Sequence, residues 1–189
     1  VKGGYTHIHV ATPCTTLTNC GIIYRTKAEL GGRRELRGDR RAKRMIQEGD
    51  ILTNLTHDVL ERCIRDGINW SVECAPQRGV DECTSERDDV YWKAAAHVGT
   101  FWDLPRTKAI YKTGDAKRYK VAMCKQGMDE QKYSEVMFGS ASVAAADEEL
   151  LGLWCDHSWH RSTIGGVDED GRSIAQKSEQ YTPEFSDTM

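Results

Sequence analysis

The chain has 189 residues, and its composition excludes several classes of protein. Hydrophobic residues make up 39% and charged residues 29%, which is enough for a buried core and too apolar for a disordered chain. No apolar run approaches ~18 residues, so no membrane span is predicted. The seven cysteines form no CxxC pair, which argues against a disulfide scaffold or a thiol-redox motif. With no recognisable leader, these features predict an intracellular protein of the cytoplasm or nucleus.

The net charge of -3 is unevenly distributed along the chain. Seven basic and two acidic residues lie within 33–44, whereas ten acidic and three basic residues lie within 147–189. In the basic segment, Arg40, Arg41 and Arg44 are candidates for contacts with nucleic-acid phosphates, because a local basic cluster binds phosphate whatever the net charge. A solvated helix face is the alternative interpretation.

Apolar periodicity predicts the secondary structure in chain order. The predicted elements are a strand over 5–12, a basic helix over 31–47, an amphipathic helix over 50–65 that ends at Gly67, a strand over 68–74, a short helix over 88–97, and strands over 117–125 and 134–140. The first strand, the helices and the second strand form the βαβ pattern of a parallel sheet. The last two strands lack a long helix between them and are predicted to form an antiparallel edge. An open α/β sheet is therefore expected.

Two predicted strands end near side chains that can do chemistry. Cys14 follows the first strand, and Glu73 lies at the end of the second. Ligands collect at the carboxyl ends of parallel strands, so the thiol and the carboxylate are expected to face one crevice. There a thiolate is a nucleophile, and a carboxylate exchanges a proton with a substrate nitrogen. An inert buried cysteine and a solvated glutamate are the alternatives.

A second group of residues has the chemistry of metal ligands. Cys155, His157 and His160 offer zinc-type donor atoms, and Cys124 could add another. Their spacing matches no standard zinc finger, and tryptophans interleave them as packing residues would. The sequence therefore favours no metal site, with these residues as the alternative.

The order of several motifs resembles that of the DNA (cytosine-5) methyltransferases, closest to their short phage and microbial type. Ala-Thr-Pro-Cys-Thr-Thr at 11–16 is similar to the family's Pro-Cys loop, and Ser-Val-Glu-Cys-Ala-Pro at 71–76 to its Ile-Glu-Asn-Pro strand end. Lys132 and Ser134 lie where the family has the Lys and Thr of an Arg-Lys-x-Thr run. Weaker resemblances at 38–46, 121–127, 155–160 and 181–185 extend the match, in order, over most of the chain.

The resemblance implies transfer of a methyl group from S-adenosylmethionine to C5 of a cytosine in DNA, the target base having left the stack. Cys14 would add to C6, and Glu73 would hold the base at N3 and N4. Pro13, Thr15, Lys132 and Ser134 would bind the substrate, and Arg40, Arg41 and Arg44 the phosphates. The implied fold is a Rossmann-like, mostly parallel open sheet, with a partial catalytic core over 1–146 and an acidic extension with the Cys/His segment over 147–189.

The chain also departs from the family pattern. Cys74 replaces the asparagine after the family glutamate, and Gln131, Tyr133 and Glu135 surround Lys132 and Ser134 in place of arginines. No Phe-x-Gly-x-Gly loop occurs, although in the family that loop precedes the Pro-Cys strand and cradles the cofactor. The expectation is a fragment, incomplete at its N-terminus, that does not bind S-adenosylmethionine tightly alone. An N-terminal segment or a subunit would then supply the cofactor site. The alternative is an inactive nucleic-acid-binding relic of the fold.

Overall fold

The computed structural model describes residues 6–18, 23–77, 96–128, 132–157, 182, 183 and 185. In these ranges it has four strands and three α-helices. In chain order they are β1 (His7–Ala11), α1 (Arg40–Asp66), β2 (Asn69–Cys74), α2 (Pro105–Thr113), β3 (Lys117–Ala122), β4 (Tyr133–Phe138) and α3 (Val143–Leu150).

The four described strands form one open mixed sheet in the order β1-β2-β4-β3. β1 and β2 pair in parallel, whereas β4 is antiparallel to both β2 and β3. The α/β class, the parallel βαβ pair and the antiparallel edge are therefore confirmed. A mostly parallel sheet is not what the described strands form, since one of their three pairings is parallel. The connection between β3 and β4 has no long helix, so the chain returns in the opposite direction and inserts β4 beside β2.

Strand alternation gives the sheet two apolar faces. α1 and α2 cover one face, where Leu60 and Ile110 pack with Trp70, Val72 and Met137. α3 covers the other face. The buried cluster there contains Tyr119, Val121, Met123, Met128, Val136, Phe138, Ala146, Leu150 and Phe185. The sheet is thus the middle of three layers, and helices cover both of its faces. The ends of its strands are therefore the places where side chains can meet a ligand.

Helix α1 is one continuous helix where the sequence predicts two. Asp39 caps its N-terminus by accepting hydrogen bonds from the backbone amides of Arg41 (2.8 Å) and Ala42 (3.1 Å). The predicted C-terminal glycine is confirmed, because Gly67 has φ +66°. Gly49 lies inside the helix, where a Cβ atom would come 2.5 Å from Thr16 Oγ1. The glycine therefore permits a close approach of the loop after β1.

The apolar pattern of the sequence predicts part of the buried face of α1 incorrectly. Leu52 and Leu55 are 42% and 57% exposed, while Thr53, Thr56 and His57 are buried. This face of α1 packs on the polar loop after β1 and on α2, so its buried contacts are hydrogen bonds as well as apolar packing. Hydrophobic periodicity alone does not identify such a face.

The other elements differ from expectation in smaller ways. The predicted helix at 88–97 lies largely outside the described residues. Helix α2 was not predicted, because its sequence is largely polar and only weakly amphipathic. Helix α3 spans the predicted boundary between residues 146 and 147, and its Leu150 is buried against the sheet. None of the described helices has the length and apolar character that crossing a membrane requires.

Candidate active site

Cys14 and Glu73 lie at the same edge of the sheet. Ala11, the last residue of β1, is paired with Glu73 in the parallel register. The backbone amide of Thr12 donates to the Glu73 carbonyl at 3.0 Å, which continues the pairing past the end of β1. Cys14 follows two residues later. Parallel pairing of the two strands therefore brings together the two strand ends that the sequence singles out.

The predicted substrate-binding residues of β4 reach this edge as well. β4 is antiparallel to β2, so its first residues lie beside the last residues of β2, and Cys74 pairs with Glu135. Lys132 directly precedes β4, and its carbonyl accepts from the amide of Met123 at 2.8 Å. Ser134 is the second residue of the strand. The carboxyl ends of β1, β2 and β3 and the start of β4 thus lie together at one end of the sheet. This row of strand ends is called here the carboxyl edge.

The two candidate catalytic side chains approach the carboxyl edge from different faces. Glu73 is paired with Val136, and alternation places both, with Ser134, on the α3 face. Cys14 packs against the core on the α1 face, which also contains Cys74. The crevice expected from the sequence is therefore the edge itself.

The loop after β1 is held against the core by a buried residue. Leu17 is 1% exposed, and its amide donates to the Cys14 carbonyl at 2.7 Å. Pro13 and Thr15 are exposed, and Cys14 is half-buried between them. This alternation leaves the thiol at the surface of the core, while its backbone is held in place.

Two buried side chains at the carboxyl edge, those of Cys74 and Ser134, lie in unusual environments. Burial raises the pKa of the Cys74 thiol well above its usual value, and the nearby Cys14 and Glu73 raise it further. Cys74, which replaces the family asparagine, is therefore a neutral thiol at neutral pH. Ser134 Oγ is buried and has no hydrogen-bond partner among the described residues. Its hydroxyl is thus an unsatisfied polar group on the Glu73 face that is shielded from solvent.

Glu135 is the residue of this edge whose role the sequence does not reveal. It is 1% exposed and accepts a hydrogen bond from the backbone amide of Gln77 at 2.7 Å. Arg118 Nη1 lies 3.3 Å from its carboxylate, and the Arg118 guanidinium lies over the ring of Trp102 at 5.5 Å. A buried acidic residue inside a strand is the signal that a charged partner lies nearby. Here the partner is Arg118 on the neighbouring strand β3, two residues before the residue that pairs with Glu135.

The basic end of α1 projects from the same side of the molecule. Thr12 Oγ1 donates to Thr56 Oγ1 at 3.3 Å, which fixes α1 beside the carboxyl edge. At 1.5 Å per residue, the helix extends about 24 Å from Thr56 to its N-terminus at Arg40. Arg40 and Arg41 are exposed there. Arg44 is also exposed, but its Nε lies 2.7 Å from Glu48, so this predicted phosphate ligand is already paired.

A basic groove of about 630 Å³ lies beside this end of α1. Its lining includes Arg33, Arg34, Arg37 and Lys43 together with the carboxylates of Glu29 and Asp50. Arg33 is paired with Glu35, and Arg34 Nε lies 3.3 Å from Glu29. Arg37 and Lys43 belong to the basic run in the sequence but were not among the predicted phosphate ligands, because sequence alone does not give the helix face.

The wall of this groove is held by a buried arginine. Arg25 is 2% exposed, and its guanidinium lies 2.8 Å from Asp50 and donates to the carbonyls of Leu30 (2.7 Å) and Ile46 (3.0 Å). These bonds join the loop at 23–30 to α1 and give the groove a fixed shape.

The sulfur and imidazole groups of the other predicted cluster partly converge. The ligand atoms of Cys124, Cys155 and His157 all lie within 4.8 Å of one another. Burial, followed by a hydrogen bond that the Cys124 thiol donates to Cys155, raises the pKa of Cys124. His160, the third residue of the sequence pattern, lies outside the described residues.

The described residues do not fit the cofactor that the resemblance implies. A methionine cradle needs a glycine loop directly after a strand, but β1 is followed by Pro13 and β2 by Ala75. β3 leads into a 3₁₀ turn at Met123–Gln126, and the single Gly139 after β4 lies at the opposite end of the sheet, where its amide donates to the Trp70 carbonyl. Gly31 and Gly32 line the basic groove and follow no described strand. Comparisons of the chain with protein-family models, curated proteins and solved structures find no match.

Proposed function

We propose that this chain is a DNA (cytosine-5) methyltransferase-like protein and that its carboxyl edge activates the cytosine. The observation that carries the proposal is the pairing of Ala11 with Glu73, which places Cys14 and Glu73 at one sheet edge. The motif resemblance supplies the reaction class, and the basic end of α1 supplies a surface for DNA on the same side. The methyl donor implied by the resemblance is S-adenosylmethionine, and no step is assigned to it because the described residues offer no cradle.

The chemistry starts at the thiol. Cys14 loses its proton to solvent, and the thiolate forms a bond to C6 of a cytosine that has left the stack. The C5–C6 π bond breaks, and its electron pair is delocalised over C5, C4 and N3. The Glu73 carboxyl group donates a proton or a hydrogen bond to N3, which stabilises the charge that develops there.

The proposed contacts with DNA fall into two groups, those to the phosphates and those to the extruded base. The exposed Arg40 and Arg41 are positioned to neutralise phosphates, which orient the duplex without reading its sequence. Arg37 and Lys43 extend this positive surface along the groove. A strand lying along α1 would pass from this surface toward the carboxyl edge, where a single extruded base could enter.

The proposal is tested by hydrogen exchange at C5 of cytosine in DNA, a reaction that needs no methyl donor. Addition of the thiolate to C6 lets C5 take up a proton from water, and reversal of the addition releases the original one. We expect cytosine-specific release of C5 tritium, and Cys14→Ser should reduce it by a factor on the order of 10³ or more. Cys63→Ser is the matched control, because Cys63 is buried in the core and distant from the carboxyl edge.

The second candidate function is DNA binding by a catalytically inactive relic of the same fold. It is favoured by the lack of a glycine cradle in the described residues and by the buried Glu135. A relic would bind DNA through the basic end of α1 without exchanging the C5 hydrogen. DNA binding that persists with no exchange above the Cys14→Ser background would therefore replace the proposed activity with this one.

A further inference from the structure

Three soft or borderline donor groups meet where β3 ends. Cys124 lies in the turn after β3, and Cys155 and His157 lie in the segment after α3. Cys155 Sγ lies 3.7 Å from His157 Nδ1, and all three ligand atoms lie within 4.8 Å of one another. The residues are 31 and two positions apart in sequence, so tertiary structure, rather than a local turn alone, brings them together.

The spacing of these atoms matches that of a tetrahedral metal centre. Zinc–sulfur bonds of about 2.3 Å and zinc–nitrogen bonds of about 2.0–2.1 Å place neighbouring ligand atoms about 3.5–3.8 Å apart. The sulfur-to-nitrogen distance is already in this range, and small side-chain rotations would bring the remaining pairs into it. Two sulfurs with one imidazole form a donor set that suits zinc among the common biological cations.

The surrounding contacts hold the two segments in register. The amide of Ala122 donates to the carbonyl of Leu153 at 2.8 Å, so the segment after α3 runs beside the end of β3. The rings of Tyr133 and Trp154 pack at 5.5 Å. Trp154, which the sequence suggests is a packing residue, is therefore part of the scaffold that positions the donor atoms.

The exposure of the three groups also suits an ion that enters from solvent. Cys155 is 7% exposed, Cys124 is half-buried, and His157 is exposed. The exposed Asp156 carboxylate is paired with Lys125 Nζ at 2.5 Å, which leaves the neighbouring thiols and imidazole as the donor set.

We propose that Cys124, Cys155 and His157 bind a zinc ion that fastens the segment after α3 to the end of β3. On binding, the two thiols lose their protons to solvent, and His157 donates a lone pair as neutral imidazole. The fourth tetrahedral position is left for a ligand outside this set. The site lies at the carboxyl edge, so the ion would stabilise the approach to Lys132 and the start of β4. The inference is independent of the methyltransferase proposal.

Zinc content and cobalt spectroscopy test the proposal on the full chain. We expect about one zinc ion per chain after purification without chelator. Replacement with Co²⁺ should give the visible absorption bands of tetrahedral thiolate coordination. Cys124→Ser and His157→Gln should each weaken zinc affinity at least about a hundredfold in competition with a chromophoric chelator, since the loss of even an outer-shell partner costs up to that much.

Matched variants keep the result interpretable. Cys63→Ser and His97→Gln make the same chemical changes at a buried thiol and an exposed imidazole outside the cluster, and both should retain zinc. Because His157 is exposed, His157→Gln decides the question even if the cysteine variants fail to fold. Substoichiometric zinc that His157→Gln does not alter would overturn the proposal, as would a Cys124–Cys155 disulfide in the freshly purified protein under reducing conditions.

Discussion

The carboxyl edge of the sheet and the basic end of α1 place their functional groups in different ways. At the edge, Cys14 and Glu73 are fixed by strand pairing and by a core that continues beneath them. At the end of α1, Arg40 and Arg41 extend into solvent from a single helix. The proposed chemistry at the edge therefore depends on the same contacts that stabilise the fold, whereas the basic surface contributes charge almost independently of stability. Substitutions in the two regions should therefore change different measured quantities.

After the loss of the Cys14 thiol itself, the largest effect is expected at Glu73. Glu73→Gln keeps the shape of the side chain and removes its ability to protonate N3, so C5 exchange should fall about 10²- to 10⁴-fold. DNA affinity should be unchanged, because Glu73 lies apart from the basic surface. Tritium release and fluorescence anisotropy measure the two quantities. Glu149→Gln removes an exposed carboxylate on α3 and should change neither, and equal exchange in both variants would exclude Glu73 from the chemistry.

Acid should destabilise the region that supports the edge. Burial lowers the pKa of His57 and of His9 to about 4, with smaller contributions from the charges of Arg106 and His7 respectively. The unfolded chain binds these protons near pH 6.5, so stability is fully present above that pH and is lost as pH falls toward 4. The loss should be on the order of 2 kcal/mol for each histidine.

Urea unfolding across this pH window measures the effect. His57→Asn should flatten the pH dependence of the unfolding free energy, whereas His97→Gln, at an exposed position, should leave it unchanged. Equal stability of the wild-type chain at both ends of the window would contradict the lowered pKa values of His9 and His57.

Glu135 tests whether the edge depends on its buried ion pair. Glu135→Ala leaves the Gln77 amide without its acceptor and Arg118 without its carboxylate. We expect a loss of about 1–3 kcal/mol in the unfolding free energy, at the lower end because Arg118 is partly exposed. Glu148→Ala, on the exposed side of α3, is the control for the loss of a carboxylate. A stability loss no greater than that of the control would show that the pair contributes little.

The smallest effect on stability is expected at the basic surface. Arg40→Gln and Arg41→Gln should each reduce the slope of log affinity against log salt by about 1, with the unfolding free energy unchanged. Anisotropy titrations of duplex DNA at several salt concentrations give the slope. Arg62→Gln, near the other end of α1, should leave it unaltered. An equal slope in all three variants would place the DNA elsewhere.

Local sequence signals predicted the parts of the fold that depend on local physics. β1, β2, β3 and β4 each begin and end within about three residues of the predicted strands, and the Gly67 cap was recognised from its residue type. The carboxyl edge followed from one inference, that β1 and β2 pair in parallel. The face from which Cys14 approaches could not be predicted, because the loop after β1 lies beyond the strand pairing that fixes the face of each side chain.

Long-range contacts account for what the sequence missed. The insertion of β4 between β2 and β3 depends on pairing energies that no local pattern encodes. The burial of Thr53 and His57 depends on α2, which was not predicted. The Cys124 donor group was recognised only as an addition to the Cys/His pattern, since its approach to Cys155 requires β3 and the segment after α3 to lie side by side.

The most direct test of the central claim is covalent capture of Cys14 on DNA that contains 5-azacytosine. In this base a nitrogen replaces C5, so the charge formed by thiolate addition to C6 is quenched by a proton and no methyl donor is needed. Intact-mass analysis should find one DNA adduct per chain, with peptide mapping placing it at Cys14 and Cys14→Ser abolishing it. DNA binding without an adduct, or an adduct that persists in Cys14→Ser, would contradict the assignment of Cys14 as the nucleophile.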